Sequence, residues 1–329
     1  MQIETSNLTK SLLLGFAVGD AMGVPYEFMQ HEELVRESFD EMKGYGSHNQ
    51  PAGSFSDDSS LTFCLVESLT KSLTLEETVK LFLRWYDEGY WTANGETFDI
   101  GGATCVALEN FREGIPLDNI AMKDEKSCGN GAMMRLLPLA FYFDGKSFDE
   151  KFELIKKYGA LTHGHIRSHM ASLIIVELAY QIIQLKKNNQ SFPVTNNALK
   201  HKFVLQITHE LMLYFKSKPL FQGEIEKFEV LLNSLSSTKI EFFKNSGYVM
   251  DTLTCVLQVL IFSKSYEEDI KLALHMGGDT DTNTAILGGL SGLIYGEERI
   301  PKKWLSKLLR YEDIVTLSED WSKTLSFFI

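Results

Sequence analysis

Apolar residues recur at helical spacing in window after window of this chain, and no segment sustains the apolar–polar alternation of a half-buried strand. No hairpin dipeptide stands between β-branched runs, and only 7 prolines interrupt 329 residues. That pattern dictates an all-α fold. The first run, 8–22, is apolar on most faces and rich in small residues, as in a helix packed deep among others. Gly23-Val24-Pro25 ends it, because Pro25 lacks an N–H and disfavours helix in the residue before it. Helical patterns follow over 60–73 and over 75–86, the latter opened by Thr74 with Glu76 and Glu77 in its first turn. Others cover 132–141, 168–185, 203–215, 225–235, 248–263, 267–275, 282–295 and 302–310, and one runs from the Gly101-Gly102 loop to about Phe111. Residues 43–55 and 186–202 read as loops. With no internal repeat and no linker, a single domain over 1–329 is expected, with 186–245 its most divergent part.

The net charge of −12 argues against a broad basic surface for nucleic acid, though not against a small phosphate ligand held by backbone N–H groups. Cys64, Cys105, Cys128 and Cys255 are scattered and form no CxxC pair, which fits reduced thiols in a cytoplasmic protein. Leu12 to Val18 resembles a signal-peptide core, but Glu4 and Lys10 precede it and Gly19-Asp20 closes it without a cleavage pattern. No apolar run reaches the ~18 residues of a membrane span. A cytosolic protein without a membrane partner is the expectation.

Two short segments carry the chemistry. Ser56-Asp57-Asp58-Ser59 and Gly277-Gly278-Asp279-Thr280-Asp281-Thr282 each lead into a helical run. A single Asp or Ser there is an ordinary helix cap. Asp57-Asp58 set beside Asp279 and Asp281 is a repulsive cluster unless cations neutralise it. Hard oxygen ligands at this density suit Mg²⁺ or Mn²⁺. An EF-hand is excluded, because Thr284 stands where its Gly must be and Leu290 where its bidentate Glu must be. His163, His165 and His169 lack the carboxylate and thiol partners of a zinc site and read as capping or ligand-bonding groups. Gly101-Gly102 and Gly129-Asn130-Gly131 are each expected to open a helix, where backbone N–H groups bind anions, but neither has a P-loop Lys or a preceding strand. Glu27, between Tyr26 and Phe28 just past a helix break, reads as an acid/base or gating carboxylate.

In order, Gly19-Asp20-Ala21-Met22-Gly23 through Glu27, Ser56–Ser59, Phe98-Asp99-Ile100-Gly101, Gly129 through Arg135, Thr162-His163 and Gly277–Thr282 resemble the ADP-ribosylglycohydrolase family. The likeness covers about 8–296. It implies an all-α fold with two Mg²⁺ or Mn²⁺ ions at the bottom of an ADP-ribose cleft. It also implies Ser56, Asp57, Asp58, Asp279, Asp281 and Thr282 as metal ligands, Glu27 as the acid that gates the cleft or contacts a metal, and Asp99 as an acid implicated in catalysis; the chemistry leaves either Glu27 or Asp99 as the catalytic acid or base. Ser127, Gly129, Asn130 and His163 match positions that hold the phosphates and ribose, and the backbone of Gly101, Gly102 and Gly131 is the further candidate for substrate binding. Ser56 and Ser59 stand where Thr is common, which keeps the hydroxyl. The implied reaction is hydrolysis of the ADP-ribose glycosidic bond of a modified protein side chain or small acceptor. Rival readings are an immunity protein that neutralises or reverses an ADP-ribosyltransferase toxin, a silent ADP-ribose-binding relative, and a metal phosphohydrolase. The intact acidic set argues against the silent relative.

Overall fold

The computed structural model describes residues 5–237, 239–240 and 245–325. Among these residues the regular structure is helical, with only two isolated bridges, Met122 with His163 and Gly129 with Tyr248. The helices are α1 (Thr5–Gly23), α2 (His31–Leu34), α3 (Asp57–Thr70), α4 (Leu75–Glu88), α5 (Gly102–Arg112), α6 (Phe148–Gly159) and α7 (Ile166–Lys187). The second half adds α8 (Asn197–Lys216), α9 (Ile225–Leu235), α10 (Val249–Phe262), α11 (Tyr266–Met276), α12 (Thr280–Tyr295), α13 (Lys302–Leu305) and α14 (Tyr311–Leu325).

Four boundaries differ from expectation, each for a local reason. Helix α3 begins at Asp57 instead of 60, because the Ser56 hydroxyl accepts from the Asp58 N–H at 3.2 Å and caps the first turn. Residues 132–141 form 3₁₀ turns, Met133–Arg135 and Leu137–Tyr142, and no α-helix; Pro138 has no donor to continue a ladder. Helix α8 starts six residues early, where Asn196 accepts from the Leu199 N–H at 3.1 Å. The expected helix over 302–310 stops at Leu305, and Arg310 takes a left-handed backbone (φ 58°) before α14. Helix α14 went unread, although Ile314, Leu317, Trp321 and Leu325 bury at helical spacing. The divergent region lies only partly within the described residues, which omit 238 and 241–244.

Helices α1 and α12 form the axis that holds the site. Gly15, Gly19 and Gly23 fall every fourth position on α1, and Gly288 and Gly292 do the same on α12. A Cβ at Gly19 would collide with the Thr284 carbonyl oxygen, and one at Gly288 with that of Gly15. Backbones this close exchange hydrogen bonds through side-chain hydroxyls. Thr284 Oγ1 donates to Gly19 O at 2.7 Å and Thr280 Oγ1 to Gly23 O at 2.8 Å. Tyr266 of α11 donates its hydroxyl to Gly15 O at 2.6 Å. These bonds fix the axial register of the first turn of α12, and Asp281 with it.

Helix α7 is long and apolar enough to cross a membrane by length and composition, contrary to the sequence expectation, but 78% of its apolar window is buried inside the protein. It carries Arg167, His169 and Glu177 into that interior, as a core helix does.

Asp269 of α11 is fully buried, accepting from the Ser263 and Ser291 hydroxyls. Burial pushes its carboxyl up to about 7, against those bonds and nearby Lys200. A raised acid keeps its proton in the folded state where the unfolded chain has lost it. Stability therefore falls as pH rises from 3.8 to about 7. Asp269→Asn should remove a pH dependence on the order of 4 kcal/mol, read from urea midpoints at the two ends of this window.

Candidate active-site cleft

A cleft of about 440 Å³ opens where α3, α5, α12 and three loops meet. Its floor is built from α1. Asp20, fully buried within the apolar half of α1, accepts from the Ser56 N–H at 2.9 Å, the Ser59 N–H at 3.0 Å and the Ser59 hydroxyl at 2.6 Å. One carboxylate thus pins the entry to α3 onto the α1–α12 axis. The turn before α12 is fixed from the other side. Gly278 has φ 73° and exchanges backbone bonds with 28–29, Phe28 N–H to Gly278 O at 2.7 Å and Gly278 N–H to Met29 O at 2.7 Å. A Cβ there would strike Asn245 O, so only Gly suits the position.

The two acidic turns do come together. Thr282 Oγ1 donates to Asp58 Oδ2 at 3.3 Å, and Ser56 Oγ to the same oxygen at 3.1 Å. Glu27, Asp279 and Asp281 each offer an oxygen within 4.8 Å of the others. Asp57 lines the cleft but is outside that trio. Burial, then mutual repulsion, raises the carboxyls of Asp57, Asp58 and Asp281 well above the usual range, and burial raises Asp279. Asp58 Oδ1, Asp279 Oδ1 and Asp281 Oδ2 are buried with no hydrogen-bond partner. Buried carboxylate oxygens left this way are costly unless a cation meets them. The donor set, all hard oxygen, fits a divalent cation such as Mg²⁺ or Mn²⁺.

Beside this floor stands a second acidic group. His48 is hydrogen-bonded to Glu27 Oε2, and its Nε2 lies 3.9 Å from Asp99 Oδ1. Burial pushes Glu27 up to about 8, Asp99 and Asp279 add to the rise, and His48 opposes it. Burial works against the charged His48 ring, but Glu27 and Asp99 outweigh it and raise its pKa.

The same cleft has uncharged lining as well. Gly101, Gly102, Ser127, Gly129, Asn130, Gly131 and His163 all contribute to it, with Lys126. Gly101 and Gly102 do open α5, whereas Gly129–Gly131 precede 3₁₀ turns, so there the expected helix start is wrong. Asn130 is fixed by donating to Asp279 Oδ2 at 2.8 Å and to Thr252 Oγ1 at 2.8 Å. His163 is buried and held neutral: burial, then Arg135 and His169, lower it to about 3. Its ring fills the space a side chain at 131 would need, since a Cβ there would stand 2.8 Å from His163 Cε1. Arg135, fully buried, donates to Gly131 O and to Tyr158 O (3.2 Å), bracing the same loop from behind. His165 caps α7 by accepting from the Arg167 N–H at 3.1 Å, and His169 donates to His163 O at 2.7 Å.

Asp20, Phe28, His48 and Lys126 were not singled out as site residues from the sequence. Asp20 carried a signal, an acid inside an apolar helix. His48, in a polar loop, carried none.

A family model described as ADP-ribosylglycohydrolase matches residues 1–326. The chain is 28% identical over 319 residues to the ADP-ribosylarginine hydrolase Tri1 of Serratia proteamaculans, covering 96% of this chain and 79% of that protein. It is 27% identical to the ADP-ribosyl-[dinitrogen reductase] glycohydrolase of Rhodospirillum rubrum, covering 90% and 88%. A solved structure titled an ADP-ribosylglycohydrolase-related protein complex superimposes with a TM-score of 0.72 at 26% identity, over 98% of this chain and 99% of that one. The order of motifs, the all-helical architecture and the acid-floored cleft agree with these matches: the chain belongs to the ADP-ribosylglycohydrolase family, enzymes that hydrolyse the glycosidic bond between ADP-ribose and its acceptor.

Proposed function

We propose that the cleft cleaves ADP-ribose from arginine side chains of a modified protein, with two Mg²⁺ or Mn²⁺ ions held by Ser56, Asp57, Asp58, Asp279, Asp281 and Thr282. One observation carries this reading: a single cleft is lined both by the carboxylates of Glu27, Asp57, Asp99 and Asp279 and by Lys126 with the Gly101-Gly102 and Gly129–Gly131 backbone. The diphosphate, itself anionic, belongs on the side of Lys126 and the Gly101-Gly102 and Gly129–Gly131 backbone. The cationic acceptor belongs beside Glu27 and Asp99. Tri1, named for ADP-ribosylarginine, supports arginine as that acceptor.

Bound divalent ions would orient the ribose hydroxyls and acidify a water. The protein's own groups do the rest. Neutral His163 and Asn130 hold the ribose and phosphates in place. Asp99, about one-fifth exposed at its side chain, accepts the proton of the water that attacks C1″. Glu27, bonded to His48, returns a proton to the leaving nitrogen as the C1″–N bond breaks. The substrate must be supplied by an ADP-ribosyltransferase acting on the same target protein. We place the enzyme in a reducing cytoplasm, supported by four unpaired thiols.

A panel of arginine-, serine- and O-acetyl-linked ADP-ribose, run with each metal, tests this reading. Release of free ADP-ribose from the arginine linkage is expected. Release of phosphate, or preference for either oxygen linkage, overturns it.

A further inference from the structure

Phe28 is placed at two costs. Its side chain is 64% exposed at the cleft mouth, and its backbone is left-handed (φ 65°), which an aromatic residue rarely adopts. The bond from Phe28 N–H to Gly278 O, at 2.7 Å, holds it there. Strain of this kind, where the surroundings enforce it, points to function. A second ring lies close by: Phe98 is 5.3 Å from the His48 ring, and Phe28 is 6.4 Å from the same ring. Both phenyl rings thus neighbour His48, and the carboxylates of Glu27 and Asp99 meet at its Nε2.

Aromatic rings close to carboxylates select a flat cation. The diphosphate is repelled from this side, so what enters here is the acceptor. We propose that Phe28 and Phe98 are the aromatic walls of an acceptor subsite that takes a guanidinium group and sets the enzyme's preference for it. The inference rests on the arginine reading above and adds the residues that enforce it. The guanidinium plane lies against the rings while its N–H groups reach Glu27, the acid at the leaving nitrogen. A neutral serine linkage gains nothing from either.

Phe28→Ala tests this without disturbing the core, because the ring is mostly exposed. With ADP-ribosylarginine, KM should rise about ten-fold, the scale of a lost cation–π contact. Calorimetric binding of ADP-ribose, which lacks the acceptor, should not change. Phe28→Tyr, which keeps the ring, should restore KM, and Phe98→Ala should reproduce the defect. An unchanged KM in Phe28→Ala overturns the aromatic wall while leaving the arginine reading standing. Equal weakening of ADP-ribose binding overturns it too, since the ring would then serve the nucleotide. A wild-type enzyme that leaves arginine linkages intact overturns both readings.

Discussion

Asp58→Asn should lower kcat/KM by at least about 10³-fold and, in metal-free protein, raise stability. The two effects have one cause. Asp58 is buried among like charges, with Oδ1 unpartnered and its carboxyl pushed well above the usual range by burial and by Asp20, Asp279 and Asp99. Asparagine keeps an oxygen for the Ser56 and Thr282 hydroxyls and removes the charge. Relief of the repulsion should stabilise the metal-free fold by about 1–2 kcal/mol, a few degrees in melting temperature. Adding Mg²⁺ or Mn²⁺ should stabilise the wild type, because a ligand that binds only the folded state adds RT ln(1 + [L]/Kd). The variant should gain much less. A metal-free variant that melts below the wild type, or one that keeps full turnover, would contradict the view that this cluster exists to hold cations.

Gly19→Val is expected to be the most damaging single change outside the cleft. Its Cβ would meet the Thr284 carbonyl, a backbone atom in the middle of α12 that cannot step aside. The helices must separate, and with them go the bonds from Thr284 to Gly19 O and from Thr280 to Gly23 O. A cost of about 3 kcal/mol or more is expected, at the upper end of overpacking effects. The damage also reaches the chemistry. Asp20, the next residue, is the one that fixes the start of α3. Surviving folded protein should therefore bind divalent ions more weakly. Gly223→Ala is the matched control, since nothing stands within 4 Å of a Cβ there, and it should fall within about 0.5 kcal/mol of wild type. Comparable losses in the two variants would mean that the α1–α12 crossing is not the tight joint its geometry shows.

Much of this was legible in the sequence because it is local. Helical period, the Thr74 capping box and the break at Pro25 act within a few residues, and the structure repeats them. The failures were local as well. At 132–141 the apolar pattern continued past Pro138, which cannot serve a helical ladder, and α14 was overlooked behind a polar face. The acidic turns were legible as residue types, since adjacent aspartates exceed what capping needs. Their order along the chain, shared with a family, made the cleft's purpose readable before its shape was known.

By itself, then, the sequence determined the helical class, the reaction and the inventory of hard oxygen donors, since these follow from period, residue chemistry and motif order. That Asp58 meets Thr282 across more than two hundred residues, that Asp20 anchors α3, and that Phe28 and Phe98 both neighbour His48 came from the packed fold alone. Those facts depend on how closely α1 and α12 approach through their glycines. A crossing distance is a property of two surfaces packed together, which neither helix encodes alone.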